Sequence, residues 1–473
     1  MKKILICTSI PYVNGRPHIG HALEYTQADT LARFYRGKQY DVFFTAGSDE
    51  NAIKNVESAE KAAIPVHEFI DQQTKAFQQL KDVYHITYDD FIRTSSPLHI
   101  KGSQKLWNLC SHDIYKKSYE GLYCTGCEAF YKDGEFPDNI CPAHNRKLEV
   151  IIEENYFFAL SKYQQQIHDL IEQDKIRIVP EFRKQEVLRF IDEGLEDFSI
   201  SRPEKRTKGW GIPVPGDAEQ RMYVWFDALT NYISILHFDT NDALFENYWL
   251  NNQNKVHIIG KDIVRFHAIY WVGMLLSANL PPPSQLFVHG FITVDGKKMS
   301  KTIGNVVDPF DLVTTYGVDA VRYYLLREIP SLDDGDYSNN RMEQLYSTDL
   351  ANELGNLVLR LTTLAEKDEL HIDTETNVYT DEVLDQQIMS YQFNLALEHI
   401  WLSIKALNKE VDEFAPWKKQ PVERAEFLTN ALQKLSVIAL KLKPFIPTTA
   451  YIISQAVTGK IEKIAPLFPR IQK

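Results

Sequence analysis

The strongest constraint on the fold is a rhythm in the first sixty residues. Residues 3–10, KILICTSI, form an apolar, β-rich run that stops at the turn formers Pro11, Asn14, Gly15 and Pro17. From Gly20 to Gly37, GHALEYTQADTLARFYRG places apolar residues at helical spacing and ends on glycine. A second β-type run covers 40–50, YDVFFTAGSDE, and a second helical pattern covers about 51–63. Parallel neighbours need a crossover connection, so strand, helix, strand, helix opens a parallel sheet wound by helices. The rhythm returns at 255–278 and 285–293. The expected fold is therefore α/β, a Rossmann-like doubly wound parallel sheet.

Between these halves the pattern changes. Residues 113–221 hold a cysteine cluster, helix-like stretches at 161–173 and 183–196, and a turn-rich end, SRPEKRTKGWGIPVPGD. They read as an inserted domain. Beyond about residue 340 strand patterns fade and long helical ones dominate, which predicts a C-terminal helical bundle. A chain of 473 residues has room for about three domains. The expected division is 1–112 and 222–290 for the two halves of the sheet domain, 113–221 for the insertion with a knuckle at about 120–147, 291–340 for a connecting region, and 341–473 for the bundle. No stretch approaches the ~20 apolar residues of a membrane span. The first residues, MKKILICTSIPY, run into a turn without a small-residue cleavage site, so they read as a strand rather than a signal peptide. No membrane association and a cytoplasmic setting are expected.

Ligands of open parallel sheets bind at the carboxyl ends of the strands. His18, Gly20 and His21 fall there, in PYVNGRPHIGHALEY, where a strand hands over to a helix. A helix N-terminus offers free N–H groups and partial positive charge to phosphate. Gly20 would let a nucleotide approach the backbone, and the histidines could donate hydrogen bonds to phosphate oxygens. Far downstream, VDGKKMSKTIGN (294–305) sets Lys298, Met299, Ser300 and Lys301 beyond an Asp295–Gly296 hairpin turn. Either motif alone reads better as a solvated loop. Together, HIGH at 18–21 and KMSK at 298–301 resemble the class I aminoacyl-tRNA synthetases, with Thr302 where the family usually ends the motif on serine.

That resemblance implies amino-acid activation. A carboxylate attacks the α-phosphate of Mg²⁺-bound ATP in line and pyrophosphate leaves, a step that needs positioning and charge stabilisation. His18 and His21 would bind the phosphates, Lys298 and Lys301 would close over the pyrophosphate, and Gly260 and Asp262 of the GKDIVRFH stretch would join the ATP contacts.

Over essentially the whole chain the pattern is similar to the methionyl-tRNA synthetase family. The resemblance implies that Ser9, Ile10 and Tyr12 of SIPYVNG line a methionine pocket, with Trp225, Ala228, Leu229 and Tyr232 of YVWFDALTNY and with Ile263 and His267. Asp49, at the end of the second strand, would take the α-ammonium group. An aromatic and aliphatic pocket suits a thioether, since sulfur–aromatic contact contributes ~0.3–1.5 kcal/mol. Two departures stand out: Leu229 where the family often has proline, and ENA at 50–52 where EHG is commoner.

Cys124, Cys127, Cys141 and His144 form C-x2-C-x13-C-x2-H, a spacing that closes a tetrahedral site around one structural Zn²⁺. Net charge is −12, yet residues 391–473 carry 12 Lys/Arg against 7 Asp/Glu. Asn352, Asn356 and Arg360 share a helix face, and Trp417 stands beside two lysines. In the family this bundle reads the CAU anticodon, and unpaired bases are read by stacking and edge hydrogen bonds. The expected partners are tRNA(Met), ATP and L-methionine, and with no appended domain after residue 473 a monomer is expected. Another class I synthetase, a small nucleotidyltransferase and a non-catalytic tRNA-binding relative are the rival readings.

Overall fold

A computed structural model describes residues 1–125, 129–131, 134–299, 304–373 and 380–471. Its centre is a six-stranded parallel sheet. The strands are β1 (Lys3–Thr8), β2 (Asp41–Ser48), β3 (Asp90–Arg93), β6 (Arg177–Val179), β7 (Lys255–Gly260) and β8 (Gln285–His289), in the order β3-β2-β1-β7-β8-β6. Ile6 lies opposite Phe44 on one side and Val256 on the other. Strand order reverses between β1 and β7, which opens the crevice where such sheets bind ligands. β1 is almost wholly buried because helices cover both faces, as its unbroken apolar sequence requires.

The helix α1 (Ile19–Gly37) follows β1 and buries residues on most of its circumference, from Ile19 to Phe34. α2 (Ile53–Ala62), α3 (Val66–Val83) and α4 (Pro97–Leu109) follow, the last capped by the Ser96 hydroxyl accepting from His99 N–H. The insertion's body is a long antiparallel hairpin, β4 (Ile114–Cys124) with β5 (Glu149–Phe158). The stretch 113–221 does not stay together. Its residues 177–179 form β6 at the edge of the main sheet, and α5 (Gln164–Glu172) and α6 (Glu181–Asp192) bury Ile167, Ile171, Val187 and Ile191 in the core shared with Leu5 and Cys7.

Beyond β8 the chain makes a separate small sheet, with β9 (Ile292–Val294) antiparallel to β10 (Lys297–Lys298) and parallel to β11 (Gly335–Tyr337). Helices follow. They include α8 (Val318–Arg327), α9 (Asn356–Lys367) extending a π-helical stretch Tyr346–Gly355, α10 (Phe393–Phe414), α11 (Pro421–Leu442) and α12 (Pro447–Ala456), while α7 (Val224–Leu229) lies earlier in the chain, before β7.

One ion pair ties these parts. Arg322 of α8 and Asp29 of α1 are both 0% exposed and meet at 2.8 Å. Arg322 also donates to the carbonyls of Tyr84, Pro444 and Phe445, and Asp29 accepts from Thr87 and Arg33. Removing one partner of a buried pair strands the other charge at a cost of about 3–5 kcal/mol. Arg322→Met should therefore lower the urea midpoint, followed by circular dichroism, clearly more than Asp29→Asn, which keeps an acceptor oxygen. Equal midpoints for Arg322→Met and wild type would contradict this role.

Candidate active site

The N-terminus of α1 caps itself. Gly20 N–H donates to His18 Nδ1 at 3.1 Å, and His18 N–H donates to His21 Nδ1 at 3.1 Å. The two rings stack with centroids 3.9 Å apart. A backbone N–H can only donate, so each Nδ1 accepts and a neutral ring carries its proton on Nε2. Burial, then the neighbouring His18 and His289, push the His21 pKa well below the ordinary histidine value, so it is the neutral ring. Ile19 N–H is also taken, by the Val307 carbonyl at 3.2 Å. The open N–H groups expected here are thus already bonded within the protein, because both imidazoles fold back on the first turn. The space that Gly20 was expected to leave for a nucleotide is filled by the His18 ring, since a Cβ there would lie 2.9 Å from His18 Cε1. What this helix end can offer phosphate is Nε2–H and dipole.

Behind it lies a charged cluster that sequence reading missed. His289, 7% exposed at the end of β8, donates from Nε2 to Glu24 Oε2 at 2.9 Å and from Nδ1 to Gly290 O at 2.8 Å. Burial pulls its pKa down, but the Glu24 carboxylate, the Gly290 carbonyl and Asp262 more than offset this, and the net shift is upward. Glu24 Oε1 also accepts from Ser9 N–H at 2.7 Å and Ser9 Oγ at 2.8 Å. A Cβ on Gly260 would lie 3.1 Å from Asp262 Oδ1 and 3.8 Å from His289 Cε1. Ser9, Gly260, Asp262 and His289 therefore meet with α1 at the switch point.

The expected pocket residues also converge. Tyr12 bridges Asp49, which is 3% exposed, and the Lys54 ammonium lies 4.8 Å from the Tyr12 ring. Tyr12 and Trp225 pack on one small cluster; Ile10, Trp225 and Ile263 pack on the core that holds Leu229 and Tyr232. Trp225 stacks on Phe266 at 3.8 Å and stands 6.4 Å from the His267 ring. Ala228 and Leu229 are 4% and 1% exposed on α7, so Leu229 fills core rather than an open edge. Burial pushes the His267 pKa down to about 4, against the Ile263 carbonyl that raises it. Its Nδ1–H donates to Ile263 O at 2.9 Å, which leaves Nε2 to accept the Tyr232 hydroxyl at 2.7 Å.

The basic loop starts as expected. Asp295 and Gly296 both have positive φ, 49° and 72°, the pattern of a tight hairpin turn between β9 and β10. Lys298 pairs by its backbone with Thr293, and Met299 packs on the main core. Ser300, Lys301 and Thr302 lie outside the described residues, as does the Lys298 side chain.

Cys127 is also outside them. The other three knuckle residues converge, with His144 Nδ1 3.9 Å from Cys124 Sγ and 3.7 Å from Cys141 Sγ. A tetrahedral zinc with Zn–S about 2.3 Å and Zn–N about 2.0–2.1 Å needs S···N edges of roughly 3.6 Å, so this set suits the ion. In the bundle, Asn352, Asn356 and Arg360 line one groove of about 820 Å³ with Lys405 and Asn408. Trp417, 48% exposed, lies 5.9 Å from the Arg360 guanidinium, which is also bonded to Asp412 at 2.8 Å.

A family described as tRNA synthetases class I (M) matches residues 4–150 and 135–362. A methionine–tRNA ligase of Brucella suis biovar 1 is 40% identical over 472 residues, covering 95% of this chain and 90% of the relative. One of Thermotoga maritima is 38% identical over 471 residues, covering 95% and 74%. Mycobacterium tuberculosis methionyl-tRNA synthetase in complex with methionyl-adenylate superposes with a TM-score of 0.91 at 34% identity, covering 99% of this chain and 100% of the other. The free state of that protein gives 0.84 at 33% identity, covering 100% and 99%.

A histidine whose folded pKa is about 4 lies below its unfolded value of about 6.5. Between those pH values the unfolded chain binds more protons, so this group's contribution to stability is full above about pH 6.5 and is lost as pH falls toward 4. His267→Gln keeps a donor for Ile263 and an acceptor for Tyr232 without titrating. The drop in urea stability between pH 7 and pH 4.5 should be smaller in the variant by about 2–3 kcal/mol. Equal drops would mean that His267 is not held neutral.

Proposed function

This chain belongs to the class I tRNA synthetases, in the methionine–tRNA ligase family, and we propose that the residues gathered at the switch point carry out that family's chemistry here. The enzyme activates L-methionine with ATP, giving methionyl-adenylate and pyrophosphate, and then transfers methionine to the 3′ end of tRNA(Met). The observation that carries the assignment of roles is the α1 terminus, where Nδ1 of both His18 and His21 accepts a backbone N–H, so that a neutral ring carries its proton on Nε2.

Asp49 receives the α-ammonium of methionine, and the Ser9–Ile10 segment and Tyr12 flank it. The thioether lies against Trp225, Ala228, Tyr232, Ile263 and His267. The methionine carboxylate oxygen attacks the α-phosphorus as the bond to the β-phosphate oxygen breaks, so the charge that moves ends on pyrophosphate. His18 and His21 donate Nε2–H to phosphate oxygens, and a neutral His21 does so without leaving a buried charge behind when the product departs. Lys298 and Lys301, with Met299 and Ser300 between them, close on the pyrophosphate, while Gly260 and Asp262 hold the nucleoside end. Mg²⁺ entering with ATP neutralises part of the phosphate charge.

Cys124, Cys127, Cys141 and His144 hold one structural Zn²⁺, a reading supported by the S···N edges above. Residues 1–112 and 222–290 serve activation, 113–221 carry the knuckle, 291–340 contact the acceptor stem, and 341–473 bind the anticodon through Asn352, Asn356, Arg360 and Trp417. The reading extends to a chain that acts as a monomer in the reducing cytoplasm, in keeping with the buried thiols of Cys7 and Cys110, which form no disulfide.

Methionine should drive pyrophosphate exchange far better than leucine, valine or cysteine; a larger signal from any of those three overturns the pocket assignment. Trp417→Ala should leave that exchange intact and cut charging of tRNA(Met) about tenfold to a hundredfold, since a stacked base is worth ~1–3 kcal/mol. Equal loss of both activities in a folded variant would end the division of labour. Protein purified without chelator should carry about one zinc by atomic emission. Cys124→Ser should lower that content, and less than a tenth of an equivalent in the wild type would remove the metal site.

A further inference from the structure

Asn51, the departure from the family's commoner histidine, joins the two ends of the amino-acid pocket. Its backbone N–H donates to Asp49 Oδ1 at 3.3 Å. Its Nδ2 donates to Asp227 Oδ2 at 2.7 Å and to Thr94 O at 3.1 Å. Asp227 lies on α7, directly before Ala228 and two residues after Trp225, and is 1% exposed. Its second oxygen meets Nε2 of the fully buried His99 at 2.6 Å, and His99 Nδ1 meets Ser234 Oγ at 2.8 Å. Asn55 Nδ2 further fixes the Asp49 carbonyl at 3.0 Å.

A buried carboxylate is tolerated only when its lone pairs find donors. For Asp227 the donors come from α4 on one side and Asn51 on the other. Without the Asn51 amide, Oδ2 is left dry and α7 has to shift to satisfy it. α7 carries one wall of the thioether pocket, and Asp49 is the ammonium end.

We propose that Asn51 is a positioning residue for methionine recognition, which sets the separation of Asp49 from the α7 wall through its backbone and side-chain N–H groups. The inference rests on reading this site as the methionine pocket. The hydrogen bonds of Asn51 described above run to Asp49, Thr94 and Asp227, on the amino-acid side of the site, so its effect falls on the amino acid rather than on ATP. What the position requires is a donor facing Asp227, a requirement that histidine could also meet.

The test uses three variants of the full chain in pyrophosphate exchange. Asn51→Asp keeps the shape but replaces the donor with a third carboxylate beside Asp49 and Asp227. Asn51→Ala removes the donor without adding charge, and Asn51→His offers one again. Asn51→Ala and Asn51→Asp should raise the methionine KM about tenfold or more while the ATP KM stays within about twofold. Asn51→His should recover most of the lost affinity, which a merely structural role would not predict. The proposal is overturned if Asn51→Ala, with an unchanged melting temperature, leaves the methionine KM within about twofold of wild type or raises both KM values alike. Should Asn51→Asp fail to fold, Asn51→Ala and Asn51→His decide the matter together. A wild-type protein that gives no exchange with methionine would instead remove the underlying reading of the pocket.

Discussion

The fold turns on a guanidinium that water never reaches. Arg322 is held by one carboxylate and three backbone carbonyls, drawn from three separate parts of the chain: Asp29, Tyr84 and the neighbours Pro444 and Phe445. Burial lowers its pKa and the Asp29 charge works against that, so the buried cation stands opposite a carboxylate that is itself fixed. Asp29 sits on the same helix as His18 and His21, and Pro444 and Phe445 belong to the bundle. The helix that opens on His18 and His21 is therefore anchored to the C-terminal bundle. A hydrophobic contact in that place would bury surface without setting direction; a planar fork of donors sets both.

The same economy of charge sorts the histidines of the site. His21, His267 and His289 are all deeply placed, yet only His289 has a carboxylate on one nitrogen and a carbonyl on the other, and only it shifts toward the charged form. His267 spends its one proton on Ile263 and so can only accept from Tyr232. Neutral rings suit contacts with a thioether, whose sulfur is a weak acceptor. His289 instead stands among acidic neighbours, Glu24 and Asp262, which raise its pKa, and through Glu24 it links Ser9 and α1 to the end of β8.

The strand and helix rhythm was legible because β1, β2 and β7 are short, apolar on both faces and punctuated by turn residues. β6 was not, since a three-residue RIV between two amphipathic helices carries no period of its own, and only its neighbour Gln285–Phe287 makes it a strand. The motif histidines were legible as residues but not as rotamers: nothing in HIGH says that both rings turn back to cap the helix. Glu24 and His289 were missed for a related reason, because their pairing spans 265 positions and each alone is unremarked in its own segment. Asn51 could be flagged as a departure, while its partner, 176 positions away, needed coordinates.

The small sheet of β9, β10 and β11 shares no strand pairing with the main one. It is held beside it where Lys261, the residue after β7, donates to Asp334, the residue before β11, at 2.8 Å. β10 leads into the basic loop, and β11 runs on into the helix that bears Asn352 and Asn356. One set of strand pairings therefore stands between the start of that loop and the helix of the groove, so a substitution in β9, which pairs with both β10 and β11, bears on both at once.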